Sequence, residues 1–417
     1  MFFPLHRAGF AILFLAIGAP SWATDFLTLE EALRIAAGRS RQLVAQDALA
    51  VAAREQAVAA GQQPDPTLKL GINNLPINGE DRFSLTRDFM TMRSVGVMQE
   101  ITRGDKLKAR SARFSREAEA AEAGRAAALA NLQRDTAMAW LDRYYQERML
   151  DVLRTQRAEA GLQIEAADAA YRGGRGTQTD VFAARSTVAL IDDRIRQAEK
   201  QIGTARIKLA RWVGDDATQA LGVPPGIGAV HLDPTRLEEQ LAHHPQIALM
   251  AKQEEVARAD ADIAQSNKRA DWSVELMFNQ RGPAYSNMVS VNASIPLQWD
   301  QKNRQDRELA AKLAVAGQMR AQREEATREH VADTRVWLQE WQSNRERLVQ
   351  YDRALIPLSL ERTRAAIAAY RGGSGLLSAV LEARRMEIDT SMDRLRLEME
   401  TATLWAQLAY LIPATEK

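Results

Sequence analysis

Side chains able to bind metal or carry out catalysis are few in this sequence. Histidine occurs five times in 417 residues, and only His243 and His244 are adjacent. Adjacent residues on one helix point in different directions, so we interpret this pair, which precedes Pro245, as structural rather than as metal ligands. The sequence contains no nucleophile–base set, phosphate-binding loop or residue cluster with metal-ligand spacing. We therefore predict a protein that is not an enzyme and uses no cofactor.

Three methionines in one short stretch could supply soft sulfur ligands. They are Met90, Met92 and Met98. Thioethers favour soft ions such as Cu(I), which makes metal binding one interpretation of this stretch. Methionine in loops and strands more often packs against its neighbours, and this is the preferred interpretation.

Composition excludes several other classes of protein. Cysteine is absent, which excludes disulfides, thiolate metal sites and cysteine nucleophiles. The net charge is +1 with 26% charged residues of both signs, so neither nucleic acid nor an acidic membrane surface is indicated as a partner. Asp180, with Thr177 or Thr179, is expected to cap a helix.

A glycine-rich segment occurs twice and organises the elements around it. Tyr171-Arg172-Gly173-Gly174-Arg175-Gly176 returns as Tyr370-Arg371-Gly372-Gly373-Ser374-Gly375. Each copy ends one long alanine-rich helical pattern and begins another. Glycine permits the positive φ angles that end a helix and reverse the chain. Two helical hairpins with similar tips, half a chain apart, predict a duplicated architecture.

The amino terminus has the pattern of a signal peptide over residues 1–23. A charged start precedes an apolar run from Ala8 to Ile17, and Ser21-Trp22-Ala23 forms a small-x-small cleavage site. The apolar run is too short to span a bilayer as a helix. We therefore expect an exported protein whose mature chain begins at Thr24.

Helical periodicity changes to alternation in two places. Apolar and polar residues alternate in a pair of segments within 67–101, and again in a pair within 272–295. Each pair predicts two β-strands with one apolar face. A helix precedes each pair, and the first is expected to run from Thr28 to about Ala60.

Two very long helices follow the strand pairs. They are predicted from Asp105 to Tyr171 and from about Gln301 to Tyr370, with Pro357 kinking the second helix without ending it. Each would approach ~100 Å in length and would need partner helices along most of it.

These elements predict a mixed α and β fold built from two structural repeats. The first repeat is expected over residues 24–214 and the second over 237–413. A connector at 215–236 joins them, and a short tail follows at 414–417. Each repeat holds a shorter helix, a strand pair and a long helical hairpin.

The strands raise the question of what covers their apolar faces. An isolated four-stranded sheet would leave two open edges, and the chain has little other sequence to cover it. One solution closes the sheet between several chains, with the apolar side toward lipid and the polar side toward a lumen. Two chains would give eight strands and a filled interior, whereas three would give twelve and a water-filled bore. The alternative is a sheet packed on its own helices.

The order of elements resembles that of the TolC-type outer-membrane efflux channels. After the signal, a helix, strand pair, long helix, Tyr-x-Gly-Gly-x-Gly turn and returning helix occur twice, so the resemblance covers essentially the whole mature chain. The block from Phe83 to Met92, leading to Gly96-Val97-Met98-Gln99-Glu100, is similar to the heavy-metal branch, which serves cobalt–zinc–cadmium and copper–silver efflux.

The resemblance implies a homotrimer with a twelve-stranded transmembrane β-barrel in the outer-membrane lipid of a Gram-negative bacterium. Most of the chain would form a long helical tunnel in the periplasm. A periplasmic adaptor protein and an inner-membrane pump of the resistance–nodulation–division class would be its partners. The chain would be a passive exit conduit for heavy-metal cations. The alternatives are drug efflux, type I polypeptide secretion or, in a different class, a periplasmic coiled-coil adaptor or scaffold.

The resemblance also assigns roles to particular residues. The tips would lie at the periplasmic entrance and contact the adaptor through Tyr171, Arg172, Gly173, Gly174, Arg175, Gly176, Tyr370, Arg371, Gly372, Gly373 and Gly375. Some relatives carry two acidic residues three apart beyond the second tip. The corresponding positions here are Ala379 and Glu382, so one carboxylate ring of Glu382 is expected at the periplasmic gate.

Overall fold

A computed structural model describes residues 26–412 of the chain. The predicted signal peptide, the start of the mature chain at Thr24 and the tail at 414–417 lie outside these residues. The described chain is mostly helical, and its helices are α1 (Leu29–Arg39), α2 (Arg41–Ala60), α3 (Gly104–Arg172), α4 (Gln178–Val213), α5 (Leu237–Leu241), α6 (Pro245–Ser266), α7 (Gln305–Gln350), α8 (Ile356–Arg371) and α9 (Leu377–Ala409). Its strands are β1 (Thr67–Asn73), β2 (Met92–Ile101), β3 (Trp272–Gln280) and β4 (Met288–Ser294).

The predicted helix from Thr28 to Ala60 is divided at Ser40. This residue adopts extended backbone angles, and its side chain accepts a hydrogen bond of 3.3 Å from the backbone N–H of Leu43. Serine competes for backbone groups in this way and therefore starts a new helix. The prediction of one uninterrupted helix was wrong because the apolar pattern continues across the break.

The second long helix continues past Pro357, as its periodicity predicted. Residues Tyr351–Leu355 form a π-helical turn between α7 and α8. Proline has no N–H to donate to the carbonyl four residues earlier, and the wider turn accommodates that missing bond. In the first repeat, α3 runs for 69 residues as a single α-helix.

The helical core is centred on α3. Trp140 and Leu141 are fully buried and pack in a cluster with residues of α1, α4 and α9. A second cluster, further along the hairpins, joins Leu153 of α3 to Ile191 of α4 and Ile388 of α9. Both clusters contain residues of α3, α4 and α9, so the two hairpins pack together through the contact between α3 and α9.

The segment predicted to connect the two repeats, residues 215–236, is bound to the helices. Trp341 and Trp405 donate indole hydrogen bonds of 3.2 and 3.1 Å to the backbone carbonyls of Ile227 and Ala229. Arg143, itself buried, donates to another carbonyl of this segment at 2.7 Å. These bonds satisfy backbone groups that would otherwise lie unpaired against the bundle.

One antiparallel sheet in the order β1-β2-β3-β4 joins the two repeats through β2 and β3. Its register aligns apolar side chains in two rows, which are Leu68, Val97, Leu276 and Val291, and Leu70, Val95, Phe278 and Val289. All eight side chains are between 43% and 74% exposed. The helices of the described chain therefore leave this face of the sheet uncovered.

Candidate functional site

The two glycine-rich tips have the same backbone geometry. At the first, the N–H of Gly173 donates to the carbonyl of Ala169 at 3.0 Å, and Gly174 has a φ of 71°. At the second, the N–H of Gly372 donates to the corresponding alanine carbonyl at 2.9 Å, and Gly373 has a φ of 77°. These positive φ angles explain why glycine occupies the equivalent position of each repeat.

The tips lie at one end of the two hairpins, above a shared apolar cluster. Val181 and Val380, which occupy equivalent positions of the two repeats, are both buried in this cluster together with Leu377. Tyr370 packs against it, whereas Tyr171 is exposed. The structure therefore brings the tip ends of the two hairpins together, with Tyr370 as the predicted tip residue that packs on the shared cluster.

The helix that follows the first tip begins with a capping box. The backbone N–H of Asp180 donates to the hydroxyl of Thr177 at 3.2 Å, and the backbone N–H of Thr177 donates to the Asp180 carboxylate at 3.0 Å. The interpretation of Asp180 as a helix cap is confirmed, with Thr177 as its partner. The corresponding position before α9 is Leu376, whose side chain has no polar atom.

Glu382 lies on α9 and faces α8. A guanidinium nitrogen of Arg362 is 3.3 Å from its carboxylate, and the Glu382 side chain is 67% exposed. Such an exposed ion pair contributes little to stability, and the Glu382 carboxylate remains accessible to solvent. Sequence reasoning missed Arg362, although the two residues lie at nearly equal distances from the tip on antiparallel helices.

The adjacent histidines have different environments. His243 is exposed, whereas His244 is the N-cap of α6 and accepts a hydrogen bond of 3.2 Å from the backbone N–H of Gln246 through Nδ1. The centre of its ring lies 4.6 Å from that of His330, which sequence reasoning did not connect with it. Burial, and then the neighbouring His330 and Arg134, lower the pKa of His244 to about 4.

The hydrogen bond to Nδ1 argues against a metal site at His244. Because Nδ1 accepts from a backbone N–H, the neutral ring carries its proton on Nε2, which then has no lone pair for a metal. Among residues 26–412, no three His, Cys, Asp or Glu side chains come together in a way that could hold a metal ion. The structural interpretation of the histidine pair therefore fits its contacts.

The three methionines of the candidate metal stretch do not form one set. Met90 is exposed in the loop before β2, and Met92 and Met98 lie at positions six residues apart on that strand. A strand rises ~3.4 Å per residue, so these two positions are about 20 Å apart. The three sulfur atoms cannot contribute to one ligand set within a single chain.

The loop that carries Met90 has its own hydrogen bonds and a contact with the loop between β3 and β4. The Asp88 carboxylate accepts hydrogen bonds of 2.9 Å from the backbone N–H groups of Met90 and Thr91. Arg281 donates to the carbonyl of Phe89 at 3.3 Å. The block that resembles the heavy-metal branch therefore has a defined conformation at one end of the sheet.

Comparison with known proteins shows what this sequence and its architecture are similar to. A sequence profile described as outer membrane efflux protein matches residues 32–215, which cover nearly all of the chain from α1 to α4. No curated protein matches the sequence. None of the helices within residues 26–412 combines the length and the apolar character needed to cross a membrane.

Several solved structures share the fold. The outer membrane protein VceC from Vibrio cholerae has a TM-score of 0.78 at 17% identity, with 93% of this chain and 97% of that chain covered. The CmeC outer membrane channel of Campylobacter jejuni has a TM-score of 0.77 at 12% identity, with 98% and 93% covered. CusC has a TM-score of 0.74 at 15% identity, with 98% of each chain covered. At these identities the likeness concerns the fold alone.

Residues 32–215 therefore match the outer membrane efflux protein family, and the fold of the described chain is similar to that of solved outer-membrane channels. The predicted resemblance to outer-membrane efflux channels is supported over these residues by the family match and, for the fold, by the solved structures. Proteins of this family are channels rather than enzymes.

Proposed function

We propose that three copies of this chain form a passive exit conduit for heavy-metal cations through the outer membrane. An adaptor in the periplasm and an inner-membrane pump of the resistance–nodulation–division class would complete the system, and the pump would supply the energy. The main observation that supports a conduit is that the two apolar rows of the sheet remain exposed in the single chain.

The exposed rows favour a sheet that is closed between chains. An apolar sheet face with two open edges is stable in hydrocarbon only when every edge is paired, as in a barrel. Three four-stranded sheets, joined between β4 of one chain and β1 of the next, would give twelve strands. A soluble scaffold would instead need its own helices to cover this face, and Leu70 and Val291 are 74% and 69% exposed.

The helical hairpins support contacts between copies of the chain as well. Within the described chain, α4 packs mainly on α3, and α8 packs mainly on α9. Exposed apolar side chains remain on both outer helices, including Phe182 and Leu190 on α4 and Leu358 on α8. In the two repeats, α8 is the counterpart of the end of α3, and α4 is the counterpart of α9. The contact of α3 with α9 inside one chain would then recur between α8 of one subunit and α4 of the next.

The tips and Glu382 take the roles that the resemblance implies. The tips would form the periplasmic entrance and contact the adaptor, with Arg175 and Arg371 offering exposed charged donors. Three copies of Glu382 would form a carboxylate ring above this entrance. The repeats at 24–214 and 237–413, with the connector at 215–236, are the domains that we propose.

Heavy-metal cargo is proposed from the block at Phe83–Met92 and the strand that follows it. A deletion strain, compared with the same strain carrying the gene, tests this on salts of zinc, cobalt, cadmium, copper and silver beside a panel of drugs. We expect sensitivity to at least one metal and unchanged sensitivity to the drugs. Sensitivity to drugs alone, or loss of a secreted polypeptide, would assign a different cargo to the conduit.

Cell fractionation tests the conduit separately from its cargo. Heat-modifiable trimers in outer membranes are the expected result. Protein that salt extracts from membranes, or that stays soluble in the periplasm, would instead support the scaffold alternative.

A further inference from the structure

Two opposite charges meet on the polar face of the sheet although they lie on strands that are not neighbours. The ammonium nitrogen of Lys69 on β1 is 2.5 Å from a carboxylate oxygen of Glu275 on β3. Strand β2 runs between these two strands. The Lys69 side chain therefore crosses a whole strand to reach its partner.

Gly96 makes this crossing possible. The register places Gly96 of β2 between Lys69 and Met277. A Cβ atom at Gly96 would lie 2.6 Å from both the carbonyl oxygen of Leu276 and the Cγ atom of Met277, so a side chain there would collide with β3. Because position 96 has no side chain, the Lys69 stem can lie across β2.

The pair lies on the face opposite the exposed apolar rows. Side chains alternate between the two faces of a strand, so Lys69 points away from Leu68 and Leu70, and Glu275 points away from Leu276. Among the strand residues of this polar face in the described chain, only Glu100 adds a further charge. The remaining polar side chains of this face are Thr67, Asn73, Ser94, Ser273, Asn279, Ser290, Asn292 and Ser294.

We propose that Lys69 and Glu275 form a selectivity-determining pair in the wall of the bore, where Lys69 cancels the charge of Glu275. This inference rests on the proposed trimeric conduit, in which three such pairs would lie at one level of the barrel. Charges that line a narrow bore act strongly on passing ions, because the low-dielectric wall focuses their field. With each carboxylate neutralised by its own chain, this level of the bore does not favour cations over anions.

The test is the reversal potential of purified trimers in planar bilayers under a potassium chloride gradient. Lys69→Gln leaves three uncompensated carboxylates and is expected to raise the cation-to-anion permeability ratio roughly twofold or more. Glu275→Gln leaves three uncompensated ammonium groups and is expected to lower that ratio. The double variant Lys69→Gln/Glu275→Gln is expected to return to the wild-type ratio.

Matched controls separate this role from a purely structural one. Lys302→Gln removes the same charge from an exposed position between β4 and α7, and is expected to leave the ratio unchanged. A pair that only ties the strands together would lower trimer stability in both single variants without opposite shifts in selectivity.

Three results would overturn the inference. They are unchanged ratios, shifts of the same sign in both single variants, and a failure of the single variants to assemble as trimers. Wild-type trimers that conduct no ions would instead overturn the proposed conduit, so the two failures are distinguishable.

Discussion

Glu382 and Arg362 show that the charge of a predicted site residue depends on the side chain it contacts. The carboxylate was expected to act alone as a ring at the gate, but in the structure it faces a guanidinium group on the neighbouring helix. The pair is exposed, so each charge is only partly cancelled. At the residue scale, therefore, the electrostatics of the proposed gate depend on both side chains.

Glu382→Ala is expected to change the conductance and lower the cation selectivity of trimers in planar bilayers. The substitution removes the proposed carboxylate ring and leaves Arg362 without this partner. Arg362→Gln is the matched variant and is expected to shift cation selectivity in the opposite direction. Unchanged conductance and selectivity in Glu382→Ala would remove this residue from the gate.

The pKa of His244 predicts how stability depends on pH. The ordinary value of 6.5 falls to about 4 in the folded chain, mainly through burial. Between these values the unfolded chain binds more protons than the folded chain, so stability falls as the pH drops from about 6.5 to about 4. Protonation of Nδ1 would also remove the acceptor that caps α6.

His244→Asn is expected to reduce this loss of stability, because asparagine also caps helices but does not titrate. The measurement is the thermal midpoint of the helical circular dichroism signal at pH 7 and at about pH 4.5, between the two pKa values. His243→Asn, at the exposed neighbouring position, serves as the control and is expected to behave as the wild type does. An equal pH dependence in His244→Asn and wild type would contradict the assignment.

At the scale of elements, the conformation of each tip determines where its helical hairpin reverses. Both tips use the same sequence of backbone hydrogen bonds, and each has one glycine in the left-handed region. The helices on either side are long, so the conformation of each tip decides where they reverse. A substitution at one tip glycine should therefore destabilise that tip and leave the other tip unchanged.

Gly373→Ala is expected to destabilise the second tip by about 1–2 kcal/mol, because its φ of 77° is unfavourable for residues with a Cβ atom. Within the described residues, the added Cβ would meet no other atom within 4 Å, so the cost is one of backbone conformation. Amide hydrogen exchange at the backbone N–H groups of the second tip should become roughly 5- to 30-fold faster.

Gly372→Ala is the matched control at the same tip. Its φ is −75°, and its Cβ would be in ordinary contact at 3.4 Å from the carbonyl oxygen of Ala368. Exchange at the tip should therefore stay close to that of the wild type. Equal acceleration in both variants would show that the tip does not depend on the left-handed angle.

At the scale of the whole molecule, a contact between the two repeats of one chain predicts a contact between neighbouring chains at the equivalent positions. Glu159 of α3 and Arg384 of α9 form an ion pair where the two hairpins meet. By the offset between the two tips, the equivalent positions are Leu358 of α8 and Arg185 of α4. In the proposed trimer, Leu358 would therefore lie near the Arg185 position of a neighbouring copy of the chain.

Substitutions at Leu358 test this arrangement by charge. Leu358→Lys would place two like charges together and is expected to lower the temperature at which the trimer dissociates on semi-native gels. Leu358→Glu would allow an ion pair with Arg185 and is expected to retain the trimer more nearly at the wild-type temperature. If both variants dissociate at the same temperature, the proposed pairing of α8 with α4 is wrong.

The sequence by itself determined the local elements of this protein. Alternation with a period of two predicted the four strands, because only one face of each carries apolar side chains. The glycines of the tips and the cap formed by Thr177 and Asp180 predicted where the long helices end and begin. Ser40 was the exception, since an apolar pattern that continues through a break conceals it. These signals act over a few residues, so they can be read without knowledge of the fold.

Only the tertiary structure decided which distant residues meet. Lys69 and Glu275 are 206 positions apart, and their contact depends on the register of β2 between them. The contact of His244 with His330 likewise requires α6 and α7 to pack side by side. The pairing of β2 with β3 and the packing of α6 on α7 join segments far apart in the chain, and a pattern of a few residues does not say which segments meet.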